Sequence, residues 1–421
     1  MRIHTRRGLL RGLAVAVAMS AVAGPTPAVF ATPPGPTAPL RMSLPAPTGP
    51  YAVGTTELHL VDRHRADPWV DGRLRELMVS LWYPAARSGD RPLAPYLRPA
   101  IASLLAQRND AQLGLPAGQV DWATISTHGR SGAPVLHRPG GHPVVLYSPG
   151  GGVHRALGTV LVEELASRGY VVVTIDHTYE TPEVEFPGGR VEVQQLPEGD
   201  PTALNHVLLR TRVQDTRFVL DRLADLDAGR NPDADARRLP SGLTRSLDLS
   251  RVGMFGHSAG GFTAAEAMLV DRRIDAGIDM DGSMAYSFSA NDFGEVTRRG
   301  LDRPFMLMGA GLSSGQPHNH LGASDWASFW ANSTGWQRDL YVAQGEHFTF
   351  TDYPVLLPQL DAAFDLPAGL VTSSIGTVDP ARITASLRTY VPAFFDAHLR
   401  QRPQPLLDHP SPAHPDVAFV R

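Results

Sequence analysis

Short apolar runs alternate with longer amphipathic ones along most of this chain. Thr56-Glu57-Leu58-His59-Leu60-Val61 and Glu76-Leu77-Met78-Val79-Ser80-Leu81-Trp82-Tyr83 alternate in character, which predicts two early strands, antiparallel at a sheet edge. Pro143-Val144-Val145-Leu146-Tyr147-Ser148 is a short apolar strand ending in Pro149-Gly150-Gly151-Gly152. Leu161, Val162, Leu165 and Ala166 then share one face of a helix, and Tyr170-Val171-Val172-Val173-Thr174-Ile175 is a second buried strand. Strand, helix and strand at this spacing form a βαβ unit, so the sheet is largely parallel.

The theme repeats downstream. Val213, Phe218, Val219, Leu220 and Leu223 predict a helix over 209–223 that covers one face of the sheet, followed by a polar loop over 231–241. Arg251-Val252-Gly253-Met254-Phe255, Ala276-Gly277-Ile278-Asp279-Met280, Pro304-Phe305-Met306-Leu307-Met308 and Asp339-Leu340-Tyr341-Val342-Ala343 are further strands. A closing helix between Asp379 and Gln401 carries Ile383, Leu387, Tyr390, Val391, Phe394, Phe395 and Leu399, and Pro392 is expected to bend it.

The strand Arg251 to Phe255 runs directly into Gly256-His257-Ser258-Ala259-Gly260-Gly261, and a helix-like run from Phe262 to Val270 follows. G-x-S-x-G between strand and helix is the nucleophile bend of the α/β-hydrolase fold, whose turn is tight enough to lift the serine out of the sheet. Ser258 is therefore the candidate nucleophile. A serine hydroxyl needs a base, and the base needs an orienting acid, in the chain order Ser, acid, His. His347, in Gly345-Glu346-His347-Phe348 after the last strand, is the candidate base. Asp275, Asp279, Asp281 and Asp302 all lie between the two. Asp281 stands at the carboxyl end of its strand, where ligands sit in an open parallel sheet, with Asp279 as its main rival. The oxyanion of an acyl-transfer intermediate needs two backbone N–H groups, for which Ala259 and Gly151 are placed.

Composition narrows the function without changing this reading. The 421 residues are 43% hydrophobic and 19% charged, which suits a large core and excludes disorder as the main state. A net charge of −4 gives no electrostatic footprint for nucleic acid, so the partner is expected to be uncharged or small, and the triad motif makes it a small-molecule or lipid ester. With no cysteine, disulfides, thiolate nucleophiles and Cys-based zinc sites are excluded. His318-Asn319-His320 has no third ligand at recognised spacing, so neither a metal nor any other cofactor is expected.

Residues 1–31 read as an export leader: Arg2, Arg6-Arg7 and Arg11 precede a small apolar run from Gly12 to Ala23, too short to span a bilayer. The paired arginines resemble a twin-arginine signal, so a secreted location is expected. Residues 32–50, rich in Pro, Ala and Thr, are expected to be a flexible linker, and 51–421 one catalytic domain.

At these motifs the chain resembles the platelet-activating-factor acetylhydrolases of the plasma and intracellular type II kind, with related bacterial α/β-hydrolase esterases. The matching stretches are Gly49-Pro50-Tyr51-Ala52-Val53-Gly54, Leu81-Trp82-Tyr83-Pro84, Tyr147-Ser148-Pro149-Gly150-Gly151-Gly152, Gly256-His257-Ser258-Ala259-Gly260-Gly261, Gly277-Ile278-Asp279-Met280-Asp281 and Gly345-Glu346-His347 with Asp352 just beyond. The resemblance implies a metal-free serine esterase acting on short or oxidised acyl chains, Asp281 as the acid in its Gly-Ile-x-x-Asp context, and Gly151 as an oxyanion donor. The chain departs from the family by having Pro149 where a histidine is usual, which leaves the backbone donor intact.

Two other functions fit the same residues: a polyester or lipid hydrolase with a more open groove, and a secreted binding protein that kept the fold without catalysis. Two apolar groups also have two readings each. Tyr96-Leu97 with Ile101 to Leu105 is either a lid or transient lipid-contact surface or part of the core, and Trp326, Phe329, Trp330 and Trp336 either wall an acyl pocket or pack inside.

Overall fold

The structure is a computed structural model that describes residues 38–421 apart from positions 87, 88, 114 and 116. The expected leader and the first residues of the expected linker lie outside the described residues. One sheet of eleven strands runs through the molecule. In chain order its strands are β1 (Val53–Ala66), β2 (Leu74–Pro84), β3 (Leu93–Pro95), β4 (Ser126–Ser131), β5 (His142–Ser148), β6 (Val171–Asp176), β7 (Leu247–His257), β8 (Ala276–Met280), β9 (Phe305–Ala310), β10 (Gln337–Val342) and β11 (Ala418–Phe419). Their spatial order is β11-β10-β9-β8-β7-β5-β6-β2-β1-β4-β3. The stretch from β6 to β10 is parallel throughout, and β2 joins it antiparallel to both β6 and β1. This is the mostly parallel sheet of the α/β-hydrolase fold.

The helices are α1 (Pro99–Gln112), α2 (Thr159–Ser167), α3 (Pro201–Asp227), α4 (Ala259–Val270), α5 (Ser324–Asn332), α6 (Tyr353–Phe364) and α7 (Pro380–Leu399), alongside shorter turns. Two of them begin on clear signals. Asp200 caps α3 by accepting from the N–H groups of Thr202 and Ala203, Asp379 caps α7 through the Arg382 N–H, and each is followed by proline at the first helical position. α7 continues through Pro392.

Helices cover both faces of the sheet, which is why its central strands are apolar on both. Along β5, Val144 and Leu146 join a core with Val219, Leu220 and Leu223 of α3 and Met268 of α4. Val145 and Tyr147 point the other way, into a core with Leu161 and Leu165 of α2 and Ile383, Leu387, Phe394 and Phe395 of α7. Each such side chain, fully buried, contributes about 1.5–3 kcal/mol.

A third core departs from the sequence reading. Met42 and Leu44 are buried against Tyr96, Leu97, Ile101, Trp122, Leu356 and Leu360. Farther along, the Thr48 N–H donates to Glu164 of α2 at 2.9 Å. The described part of the segment expected to be a flexible linker is therefore docked. Its Pro-rich composition hides two apolar anchors too few to show a period. Tyr96, Leu97 and Ile101 are buried in the same core. Trp326 and Phe329 are likewise interior, in the core beneath α3 and α4. Among the described residues, no helix is long and apolar enough to cross a membrane.

Register brings the ends of five strands to one edge. Ser148 pairs with Gly256, His257 with Met280, and Met280 with Met308. The segments that follow β5, β7, β8, β9 and β10 thus leave the sheet side by side, at the edge where open α/β sheets bind ligands.

Candidate active site

Ser258 sits between β7 and α4 at φ 56° and ψ −125°, a conformation that costs a non-glycine residue roughly 1–3 kcal/mol. The surroundings dictate both glycines of the motif. A methyl group on Gly260 would lie 1.9 Å from the Ser148 carbonyl oxygen, and one on Gly256 would lie 2.2 Å from the Gly260 carbonyl carbon. Held by Ser258 N donating to the Met280 carbonyl at 2.9 Å, the bend leaves Ser258 and Ala259 partly exposed between buried neighbours.

Asp281 comes directly after β8, also at positive φ (59°), and its N–H donates to the Met308 carbonyl at 2.8 Å. Its two carboxylate oxygens are divided. Oδ2 accepts from His347 Nδ1 at 2.7 Å, while Oδ1 accepts from His318 Nδ1 at 2.7 Å and from the Ala310 N–H at 2.8 Å. Burial alone would raise the pKa of Asp281, but the two imidazoles hold it well below the usual carboxylate range. His347 therefore carries its proton on Nδ1 when neutral, with Nε2 free to take another. The ring is 34% exposed, facing the open edge.

His257, next to Ser258 in the bend, packs against His347. Its ring lies 4.5 Å from that of His347, and its Nε2 is 2.8 Å from the His347 carbonyl oxygen. A carbonyl only accepts, so Nε2 of His257 bears the hydrogen. Burial pushes the His257 pKa down to about 3, which keeps it neutral and makes it a fixed donor rather than a second base.

The Gly-rich loop after β5 reaches the same place. A methyl on Gly150 would lie 3.4 Å from Ser258 Cβ, and one on Gly151 would lie 3.9 Å from Ala259 Cβ. Gly152 takes φ 65°, the left-handed region that favours glycine. Ser258, Ala259, Gly151, Asp281 and His347 are thus brought to one rim.

The rival acids stand elsewhere. Asp279 still belongs to β8, opposite Gly256, and its Oδ1 accepts the Gly282 N–H at 2.8 Å behind the start of α4. Burial raises its pKa well above the ordinary value. Asp275 accepts the Val252 N–H at the entry end of the sheet, and Asp302 pairs with Arg272 and Arg303 on the surface. Asp352 accepts from Thr159 N and Val160 N and so caps α2.

His318 was read in the sequence only as half of a weak metal pair. In the structure the pair separates: His318 holds Asp281, while His320 bonds Asp339 at 2.7 Å and stacks on Trp330. No local signal could have shown this, because the loop that carries His318 folds back across β9, with the His318 carbonyl 1.8 Å from where a Gly309 methyl would be.

The sequence model of the family "Platelet-activating factor acetylhydrolase, isoform II" matches residues 38–290. The chain belongs to that family. It is accordingly a carboxylic ester hydrolase. A relative of this acetylhydrolase-family enzyme from Arthroderma benhamiae, named "Probable 1-alkyl-2-acetylglycerophosphocholine esterase", is 29% identical over 401 residues, covering 88% of this chain and 92% of that one. The "Platelet-activating factor acetylhydrolase" of Gallus gallus is 25% identical over 169 residues, covering 34% of this chain and 39% of its own. Among solved structures, the ferulic acid esterase from Streptomyces cinnamoneus is 41% identical with a TM-score of 0.72, covering 90% of this chain and 99% of that one.

Proposed function

We propose that this enzyme hydrolyses small carboxylic esters through a Ser258, His347, Asp281 triad, with Gly151 and Ala259 supplying the oxyanion donors. The observation that carries the reading is the 2.7 Å bond from His347 Nδ1 to Asp281, made beside a nucleophile held at a positive φ. Ser258 Oγ attacks the ester carbonyl as its proton passes to His347 Nε2, and the negative charge on the former carbonyl oxygen is received by the two backbone N–H groups. The intermediate collapses, His347 returns the proton to the departing alcohol, and water repeats the sequence to free the acid. Asp281 keeps the imidazole in the required tautomer and stabilises its cation. No step needs a metal.

The acyl group is proposed to be short or compact, and two relatives favour different members of that class. The fungal relative's name points to the acetyl ester of an ether phospholipid, whereas the 41% identity to a ferulic acid esterase favours a hydroxycinnamoyl ester. The enzyme is further proposed to be exported, with 1–31 as the leader, which the basic, then apolar, N-terminal pattern supports, and with the catalytic domain of 51–421 joined by the docked residues 38–50.

Ser258→Ala tests the core of the reading. The variant is expected to lose turnover of p-nitrophenyl acetate and labelling by a fluorophosphonate probe while keeping its melting temperature, and retained turnover refutes the assignment. Comparing kcat/KM for methyl ferulate, p-nitrophenyl acetate and a 2-acetyl ether phospholipid separates the substrate readings, and a polyester film serves as the open-groove control.

A further inference from the structure

The loop that bears Gly151 is held from behind by a charge that the mechanism above does not use. Arg212, in the middle of α3, is 2% exposed, and each of its five N–H directions has a partner. Nη1 donates to the Pro149 carbonyl at 2.6 Å and to Ser148 Oγ at 3.3 Å, and Nη2 donates to the Gly150 carbonyl at 3.0 Å. Nε donates to Glu180 at 2.8 and 2.9 Å, and Nη2 also pairs with the same carboxylate. Glu180 is itself buried, so it fixes the plane of the guanidinium.

The described residues contain no cis peptide bond, so within each of these peptides the N–H points opposite to the C=O. The carbonyl that Arg212 holds through Nη2 belongs to the Gly150–Gly151 peptide, whose N–H is that of Gly151. The Pro149 carbonyl belongs to the preceding peptide. Arg212 thus pins two successive peptide planes by their oxygens. In a glycine run with no side chains to restrain it, that pinning sets where the N–H groups point. It also polarises them, because a charged donor on a peptide oxygen draws electron density from the N–H, and hydrogen-bonded peptides strengthen one another in a low-dielectric interior.

The clamp is anchored on its other side too. Ser148 Oγ is 3.1 Å from His177 Nε2, His177 Nδ1 is 2.9 Å from Asp215 Oδ2, and Asp215 lies one turn along α3 and receives the fully buried Arg75 at 2.6 Å.

We propose that Arg212 is a positioning residue for ester hydrolysis, acting through the Gly150–Gly151 peptide to aim and polarise the Gly151 N–H at the oxyanion. The proposal rests on the reading of Ser258 and Gly151 given above. It predicts a deficit confined to the transition state, because the ground-state ester carbonyl makes weaker demands on that N–H.

The test uses Arg212→Gln combined with Glu180→Gln, which removes both buried charges together and leaves neither stranded, and Arg212→Lys, which keeps the charge without the fork. Three quantities are compared with the wild type: kcat and KM for p-nitrophenyl acetate, and the inhibition constant of a trifluoromethyl ketone that forms a tetrahedral oxyanion on the serine. In the double variant kcat is expected to fall by about 10- to 100-fold, less than the full loss of an oxyanion donor, with KM within about 3-fold. Ketone affinity is expected to weaken by the same factor as kcat/KM. Arg212→Lys is expected to fall between the double variant and the wild type, and it decides by the same criteria if the double variant does not fold. A folded variant that keeps kcat and ketone affinity within about 3-fold overturns the proposal, as does a loss carried by KM alone. Such a result with Ser258→Ala inactive removes only the role of Arg212, whereas an active Ser258→Ala removes the reading of the site itself.

Discussion

Replacing Asp281 by asparagine changes one atom and, by the bonding around it, should change the tautomer of His347, the proposed base. Asp281 Oδ1 takes two hydrogen bonds, from the Ala310 N–H at 2.8 Å and from His318 Nδ1 at 2.7 Å, and Oδ2 takes one, from His347 Nδ1 at 2.7 Å. The backbone N–H of Ala310 can only donate, so an asparagine must place its oxygen at the Oδ1 position. Its NH2 group then faces His347 Nδ1. Two donors cannot share that bond, so His347 shifts its proton to Nε2 and loses the lone pair that would receive the Ser258 proton. For a correctly built triad with the wrong tautomer the expected loss is about 10⁴ in kcat, equivalent to about 5.4 kcal/mol at 1.36 kcal/mol per decade. KM should change little, because Asp281 is buried and does not reach the ester.

The assay is steady-state hydrolysis of p-nitrophenyl acetate well below the melting transition, with Asp279→Asn measured beside it. The one bonded oxygen of Asp279 accepts the Gly282 N–H, which an asparagine oxygen can also accept, and burial raises its pKa, so kcat should stay within a few-fold. If Asp281→Asn keeps activity within tenfold of wild type, or if Asp279→Asn is the more damaging change, the assignment of the acid and the tautomer reasoning both fail.

The same substitution at position 279 has a signature in stability. Burial raises the pKa of Asp279 in the fold, while the unfolded chain releases that proton above about pH 3.9, so folding becomes less favourable as pH rises from there toward the raised folded value. Asp279→Asn does not titrate. The melting temperature of the variant minus that of wild type should therefore grow as pH rises above about 4, and a difference independent of pH would show that the fold does not raise the pKa of Asp279. At the nucleophile bend, Gly260→Ala puts a methyl 1.9 Å from the Ser148 carbonyl oxygen and should destabilise by about 1–3 kcal/mol or more by thermal melting. Gly151→Ala meets nothing closer than 3.9 Å and should melt within a few degrees of wild type, so an equal loss at both positions would count against the packing given for the loop.

Much of this site was legible along the chain because its determinants are local. A strand followed by Gly256-His257-Ser258-Ala259-Gly260 can only turn one way, since the glycines are required by contacts within a few residues of the bend and with the adjoining strand end. The apolar runs of β5 to β9 are buried on both faces and stand out without any knowledge of neighbours. The short edge strands β3 and β11, of 3 and 2 residues, carry no period and were invisible.

Asp279 and Asp281 show where local reading ends. They are two positions apart and alternate onto the same side of an ideal strand, yet Asp281 turns out of the sheet at φ 59° toward His347 while Asp279 stays inside, behind Gly261. The buried clamp of Arg212 and Glu180 is farther still from sequence reach. Its members are 32 residues apart and bond to carbonyls 62 and 63 residues from Arg212. By itself the sequence determined the parallel sheet and the bend at Ser258, and it singled out Ser258 and His347 as candidates, because strand period and turn chemistry act over a few residues. Which carboxylate faces the imidazole, which arginine holds the glycine loop, and the docking of residues 38–50 were decided only by tertiary structure, since each depends on backbone polar groups or apolar anchors that find their partners across the fold.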